Sequence, residues 1–349
     1  MDNTNNKQNI TSQADYAPLP ELAGYRFYRF TGSDEDYENI VDIVNSRHAE
    51  ADFHAQTTVE ETRHDYQYHG ASCKNERDIL FAEKDGKVVA YCRISQDKEK
   101  DKPYYKYFSM LFVRPGFWAD GLPETLLAWC ESQAVARHKA HHLGAKGEHR
   151  YHCLEKMDYK VDFITKAGYQ AVRYWDTKIH TLEHIPHYAL PEGFDLRPVM
   201  PSQYRAIWDA NNDAFQDHWD INDMSEDDYQ AWLKDKDYFQ PQLFQVAWDG
   251  DEIAAMVLPW VNGLENESKN CARAWLGDIS VRRPWRGKGL AKALISRSLE
   301  MLKLMNLKEV ALVVDTENPN GATKLYDAMG FVTEERGISW MKPLIEYKE

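Results

Sequence analysis

The chain has 349 residues, more than one compact core usually holds, and so points to two domains. Its hydrophobic fraction of 43% and charged fraction of 28% are ordinary for a globular protein, and no stretch has the roughly 20 consecutive apolar residues that a membrane-spanning helix needs. A formal net charge of -14 argues against a surface for nucleic acid, which requires clustered Lys and Arg, and mildly favours neutral or cationic ligands such as amines.

Residues Met1 to Tyr16 are polar and rich in Asn, Gln and Thr, without the basic and apolar blocks of a targeting signal. The expectation is a disordered leader over 1–20 and a cytoplasmic protein. Phe81 to Glu83 and Val88 to Cys92 flank Asp85-Gly86, a hairpin turn signal, and the aromatic run Tyr104 to Phe108 reads as a strand with packed rings. His138, His141, His142, His149 and His152 crowd one region, where His138 and His142 would share a helix face at i, i+4 if the helix continues, but Gly144 and Gly147 interrupt it and no acidic partner in a known motif accompanies them. The expected arrangement is an exposed polar helix end, with no metal. The five cysteines are odd in number and contain no C-x-x-C pair, so free buried thiols are expected in place of disulfides or zinc.

His184 to Gly193 (HIPHYALPEG) carries two prolines and a glycine between periodic segments, which divides the chain into a domain at 21–185, a linker at 186–193 and a domain at 194–349. The second half begins with a strand Phe194 to Val199, then helical stretches Pro201 to Phe215 and Ser225 to Lys234. Strands Leu243 to Trp248 and Ile253 to Trp260 follow, joined by Asp249-Gly250-Asp251. Strand Ala274 to Val281 leads through a glycine-containing loop into a helix, Leu290 to Met305, with apolar residues at helical spacing. A strand Glu309 to Val314, a short helix Ala322 to Met329 and a final strand pair after Gly330 complete the order. Hairpins first and alternating strands and helices later imply an α/β fold with a mixed, mostly antiparallel sheet flanked by helices.

The halves repeat one another. Val113 to Leu122 (VRPGFWADGL) aligns without gaps on Val281 to Leu290 (VRRPWRGKGL), the Asp85-Gly86 hairpin matches the later one, and Ala167-Gly168-Tyr169 matches Met329-Gly330-Phe331. In the later copy, a strand enters a two-glycine turn and passes directly into a helix. Unpaired amides and the positive end of the helix dipole therefore converge there, as in sites that bind phosphate. A lone Gly-x-Gly is also an ordinary helix start, and the pattern lacks the ending of a P-loop and the third glycine of a dinucleotide fingerprint.

A second motif adds specificity. V-x-R-P-x-x-R-G-x-G-L-A (Val281 to Ala291, its proline one place late at Pro284) and E-N-P-x-G-A-x-x-L-Y-x-x-x-G-F (Glu317 to Phe331) together resemble the GNAT superfamily of N-acyltransferases, in particular its tandem members. The resemblance implies two tandem domains of that fold and acetyl-CoA as co-substrate. It places Arg286, Gly287, Lys288, Gly289, Leu290 and Ala291 at the pyrophosphate, Ile279 and Val281 beside the pantetheine arm, Asn318 flanking the same arm, and Tyr326 near the thioester sulfur. Asn318 lies one residue further from Tyr326 than the commoner family spacing, which leaves its contact open.

Aminolysis of a thioester needs a neutral amine, a polarised carbonyl and a proton for the thiolate, with no metal and no covalent intermediate. Tyr326 is the candidate acid, against the alternative of a core ring on an amphipathic helix. Asp278, on the strand entering the loop, is the candidate base, against a solvent-facing Asp or a partner of Arg273. Asp217 and His218 are candidate acceptor contacts, against an ordinary surface loop. In the first half Trp118, Ala119 and Asp120 replace Arg286, Gly287 and Lys288, and Ile164 stands opposite Tyr326, so that half is expected to bind no coenzyme. The expected activity is transfer of an acetyl group to a primary amine of a small molecule by direct attack in a ternary complex. The competing reading is a coenzyme-sensing or structural protein that does not turn over.

Overall fold

Two-residue turns set the frame of each half. In a computed structural model, which describes residues 15–46, 56–67, 72–219 and 224–344, Asp85 and Gly86 both take positive φ, 51° and 77°, the geometry that lets strands reverse without losing their twist. The later hairpin turns at Gly250, φ 59°, and Asp251.

The first half runs β1 (Arg26–Arg29), α1 (Asp34–Ser46), α2 (Val59–Gln67), α3 (Asn75–Asp78), β2 (Ile79–Lys84), β3 (Lys87–Lys98), β4 (Tyr104–Val113), α4 (Leu122–His141), β5 (Lys146–Leu154), α5 (Asp158–Lys166) and β6 (Gln170–His180). The second runs β7 (Asp195–Leu196), α6 (Tyr204–Ala214), α7 (Glu226–Lys234), β8 (Gln245–Asp249), β9 (Glu252–Trp260), α8 (Gly263–Lys269), β10 (Arg273–Val281), α9 (Leu290–Leu304), β11 (Glu309–Asp315), α10 (Ala322–Ala328) and β12 (Val332–Pro343). Helices lie on both faces of the sheet: α4 and α9 pack on one large core each, α1 and α6 on smaller cores of the opposite face.

The described strands form one sheet in the order β1-β2-β3-β4-β5-β12-β6-β11-β10-β9-β8-β7. Only β4–β5 and β10–β11 are parallel pairs, so the sheet is mixed and mostly antiparallel. Each parallel pair opens along its length. β10 pairs with β11 from Arg273 to Trp275 and then diverges, helped by an irregularity between Leu276 and Asp278. A Cβ on the intervening Gly277 would come within 2.8 Å of the Trp260 indole nitrogen, so glycine is needed there.

The last strands are exchanged between the halves. β12 lies between β5 and β6, and β6 lies between β12 and β11, so Ile338 and Trp340 complete the core of the first half while Leu182 joins that of the second. This corrects the expected final strand pair: one unbroken strand follows Gly330. The expected strand Phe194 to Val199 shrinks to β7 at the sheet edge, where Pro198 has no N–H to offer.

The duplication extends to side chains. The amide of Arg114 donates to Val89 O at 2.9 Å and that of Arg282 to Ala254 O at 3.0 Å. Their guanidiniums donate to Val88 O and Ile253 O, and they pair with Asp42 on α1 and Asp213 on α6.

Part of the expected leader is ordered. Residues 1–14 lie outside the described residues, but Ala17 N donates to Gln133 Oε1 at 2.9 Å, Gln133 Nε2 donates to Asp15 O at 2.6 Å, and His141 reaches Asp15 Oδ2 at 2.5 Å. The expected exposed helix end holds for only part of the histidines: His141, at the end of α4, and His152 are exposed, the other three are not. His142 stacks on Tyr105 with ring centroids 3.6 Å apart, His138 donates to Ala145 O, and His149 is buried. No helix among the described residues is long and apolar enough to cross a membrane.

Candidate active site

Where β10 and β11 part, a cleft of about 630 Å³ opens. The loop from β10 to α9 forms its mouth. Trp285, in a 3-10 turn at Arg283–Trp285, is buried and donates to Asp249 Oδ2 at 2.7 Å, which fixes the loop against the β8–β9 hairpin. Gly287 (φ 76°) and Gly289 (φ 87°) then take left-handed conformations, and α9 begins after Gly289 with no side-chain cap. A Cβ at Gly287 would meet no protein atom within 4 Å, so the backbone angle and the space for a ligand, not internal crowding, call for glycine. The uncapped amides at the start of α9 remain for an anion.

The cleft brings together Ile279, Val281, Arg286, Gly287, Gly289, Leu290, Ala291, Asn318 and Tyr326, nine of the eleven sequence-derived positions, but not Lys288 or Asp278. Lys288 is exposed, its amine 5.7 Å from the ring centre of Phe194. Arg286 reaches the cleft, yet its guanidinium turns to protein acceptors: Nε to Val281 O, Nη2 to Ala214 O and Nη1 to Asp217. Asn318 uses its Oδ1 to accept the amide of Asn320 at 2.9 Å, closing a turn at the end of β11.

Tyr326, on α10, is 7% exposed, and burial pushes its phenol well above the ordinary value. It stays protonated at neutral pH, and its ring meets Phe331 edge to face at 6.0 Å. Asp278 does not pair with Arg273, which is held by Glu309 and Glu334. Its Oδ2 instead accepts from Asn211 Nδ2 at 2.9 Å, and Asn211 Oδ1 accepts from Ser280 Oγ at 2.9 Å. Burial raises the Asp278 pKa and the Asn211 bond opposes that rise.

Of the two acceptor candidates, His218 lines the cleft, its ring 4.4 Å from Phe215 and its pKa lowered by burial. Asp217 is engaged by Arg283 and Arg286. Sequence reasoning missed Asn211, Phe215 and, above all, Trp175. Trp175 comes from β6 of the first half, lines the cleft, and is held by its Nε1 bond to Ser339 Oγ at 2.9 Å. Next to it Arg173 pairs with Asp315 at 2.8 Å and Glu317 at 2.7 Å, tying down the segment that carries Asn318.

In the first half, the matching loop is filled from within. The Trp118 indole packs edge-on against Tyr159 at 5.0 Å and Phe163 at 5.7 Å, with the Lys160 amine 5.6 Å from its ring centre. Pro123, in the first turn of α4, removes the amide that Ala291 keeps in α9.

A mixed sheet splayed at its parallel pair and built twice in one chain defines a tandem acetyltransferase fold. Residues 41–159 and 204–331 match the acetyltransferase (GNAT) family, and the chain belongs to that family. It is 31% identical over 184 residues to a mycothiol acetyltransferase of Pseudarthrobacter chlorophenolicus, over 52% of this chain and 56% of the relative, so the match spans little more than half of that protein. With the mycothiol acetyltransferase of Geodermatophilus obscurus, identity is 23% over 76% of this chain and 82% of the relative. A GCN5-related N-acetyltransferase from Sphaerobacter thermophilus superposes with a TM-score of 0.68 at 22% identity, covering 93% of this chain and 97% of that one. A tandem GNAT protein from the clavulanic acid biosynthesis pathway superposes with a TM-score of 0.67 at 16% identity, covering 93% and 100%.

Proposed function

We propose that the chain is a cytoplasmic acetyl-CoA-dependent N-acetyltransferase that acetylates a primary amine of a small molecule in a ternary complex. In this reading the repeat at 194–349 is active, and the repeat at 21–185 is a wall of its site without coenzyme of its own. The observation that carries the reading is the single cleft in which an uncapped, two-glycine helix start and the buried Tyr326 come together.

Acetyl-CoA would lie with its pyrophosphate at the amides of Gly287 to Ala291 and its arm along Ile279 to Val281, and it supplies the activated acyl group. The neutral amine forms its bond to the thioester carbon while the C–S bond breaks. Asp278, which does not itself line the cleft, would accept the amine's proton through bridging water, and Tyr326 offers its hydroxyl to the departing thiolate. A phenol whose pKa is raised is a weak acid, so its main contribution is a hydrogen bond to developing charge in a water-poor site. Positioning of the two reactants supplies much of the remaining rate, up to about 7–11 kcal/mol in well-oriented systems. Trp175, His218 and Phe215 form the acceptor side, where aromatic faces suit an uncharged or cationic molecule.

Calorimetric titration with acetyl-CoA tests the coenzyme site: one site per chain is expected. Two sites would show that the first repeat is open after all, and none would remove the reading. With an amine panel assayed by release of free CoA thiol, Tyr326→Phe is expected to lower kcat at least tenfold with acetyl-CoA affinity nearly unchanged. An unaffected kcat would return Tyr326 to the core.

A further inference from the structure

The loop assigned to the pyrophosphate has a carboxylate at its side, and electrostatics alone opposes that placement. Asp217 ends the 3-10 turn Phe215–Asp217 that follows α6 and sits between two loop arginines. Arg283 Nη2 is 2.5 Å from its Oδ1, and Arg286 Nη1 is 2.6 Å from its Oδ2. With Nε on Val281 O and Nη2 on Ala214 O, each at 3.0 Å, the Arg286 guanidinium brackets the end of β10 to the end of α6. Between two guanidiniums, Asp217 remains ionised far below the usual carboxylate range.

The first half separates what the fold needs from what the open loop needs. The pair Arg282–Asp213 recurs there as Arg114–Asp42, with the same carbonyl contacts, although the loop is closed. That pair therefore serves the fold. The Asp217 set does not recur: Pro115 and Trp118 stand where Arg283 and Arg286 do, and Ser46, four residues after Asp42, donates to Ile43 O. We propose that Asp217 is a positioning residue that staples the coenzyme loop in its binding geometry by engaging Arg283 and Arg286, and that the Arg286 side chain acts as part of this staple and not as a phosphate ligand. The proposal rests on the coenzyme reading of the loop.

Simple Coulomb attraction and the staple predict opposite signs. Removing a negative charge beside an anion site should tighten acetyl-CoA, whereas loosening a staple should weaken it. In calorimetric titration, Asp217→Asn is expected to lower acetyl-CoA affinity on the order of tenfold, Arg286→Gln by the same factor, and the double variant by no more than either alone. Asp217→Ser, which places the first half's residue at this position, serves as a second variant whose fold has a precedent in the same chain. Asp213→Asn is the contrast: a lower melting temperature with affinity unchanged. Tighter or unchanged binding by Asp217→Asn and Asp217→Ser, or additive losses in the double variant, overturns the staple while wild-type binding keeps the coenzyme reading. A wild-type chain that takes up neither acetyl-CoA nor CoA overturns both.

Discussion

Asp278 and Tyr326 both pay for burial in the currency of ionisation, the carboxylate becoming a better base and the phenol a poorer acid. The direction for Asp278 makes the proposed chemistry testable by pH. A base works when ionised, so kcat/KM for the amine should rise with pH, with a lower limb above the ordinary carboxylate value of 3.8. Asn211 donates to the ionised form, so Asn211→Ala should move that limb to higher pH. Asp278→Asn should abolish it and cost on the order of 10²-fold in kcat. A limb that survives Asp278→Asn belongs to another group. That Gly287, Gly289 and Tyr326 share one cleft is legible in the sequence, because the residues within each motif sit close together along the chain. The places of Trp175, which lines the cleft, and Asn211, which holds Asp278, are not, because they come from elements more than sixty residues away and nothing local marks them.

The helix starts show how much local chemistry decides at the scale of an element. Gly121 and Gly289 both cap their helices in the left-handed conformation, yet Pro123 and Trp118 fill one loop where Ala291 and Arg286 stand in the other. All of these substitutions could be read from the aligned loops. The histidines of α4 and β5 could not, since burial depends on partners across the sheet. Burial and neighbouring charges on His138, His141 and Arg137 lower His142 to about 4; burial, Lys342 and His138 lower His149 to about 3. Because both folded-state values lie below the ordinary 6.5, the unfolded chain binds more protons in the interval. This part of the stability is present above pH 6.5 and is lost as pH falls through the lowered values. Denaturant midpoints measured from pH 7 to pH 4 should therefore fall, and His149→Phe should flatten the slope. An equally steep slope in that variant would assign the acid sensitivity elsewhere.

At the scale of the whole molecule, the exchanged strands make the halves one thermodynamic unit. Trp340, at the C-terminal end, is buried in the core of the first half, and truncation of a large buried aromatic costs roughly 3–5 kcal/mol. Trp340→Ala should lower stability by about that amount while unfolding remains a single transition by fluorescence and circular dichroism alike. Two separated transitions would show that the seam between β12 and β6 couples the halves only weakly. Two repeats of one fold could be read from matching motifs, but not which repeat would receive which last strand. The segments after Gly168 and Gly330 both form long strands, and what distinguishes their places is contacts far apart in the chain: Ile338 and Trp340 in the core of the first half, and Ser339 Oγ on the Trp175 indole nitrogen. The same exchange bears on how the protein is made. β5 leaves the ribosome about 180 residues before β12, an interval on the order of 10–40 s at ordinary elongation rates. Throughout that time the first half is without the strand that pairs with β5 and without the Ile338 and Trp340 side chains that complete its core, so a chain cut off before β12 should be cleaved by protease faster than the full one.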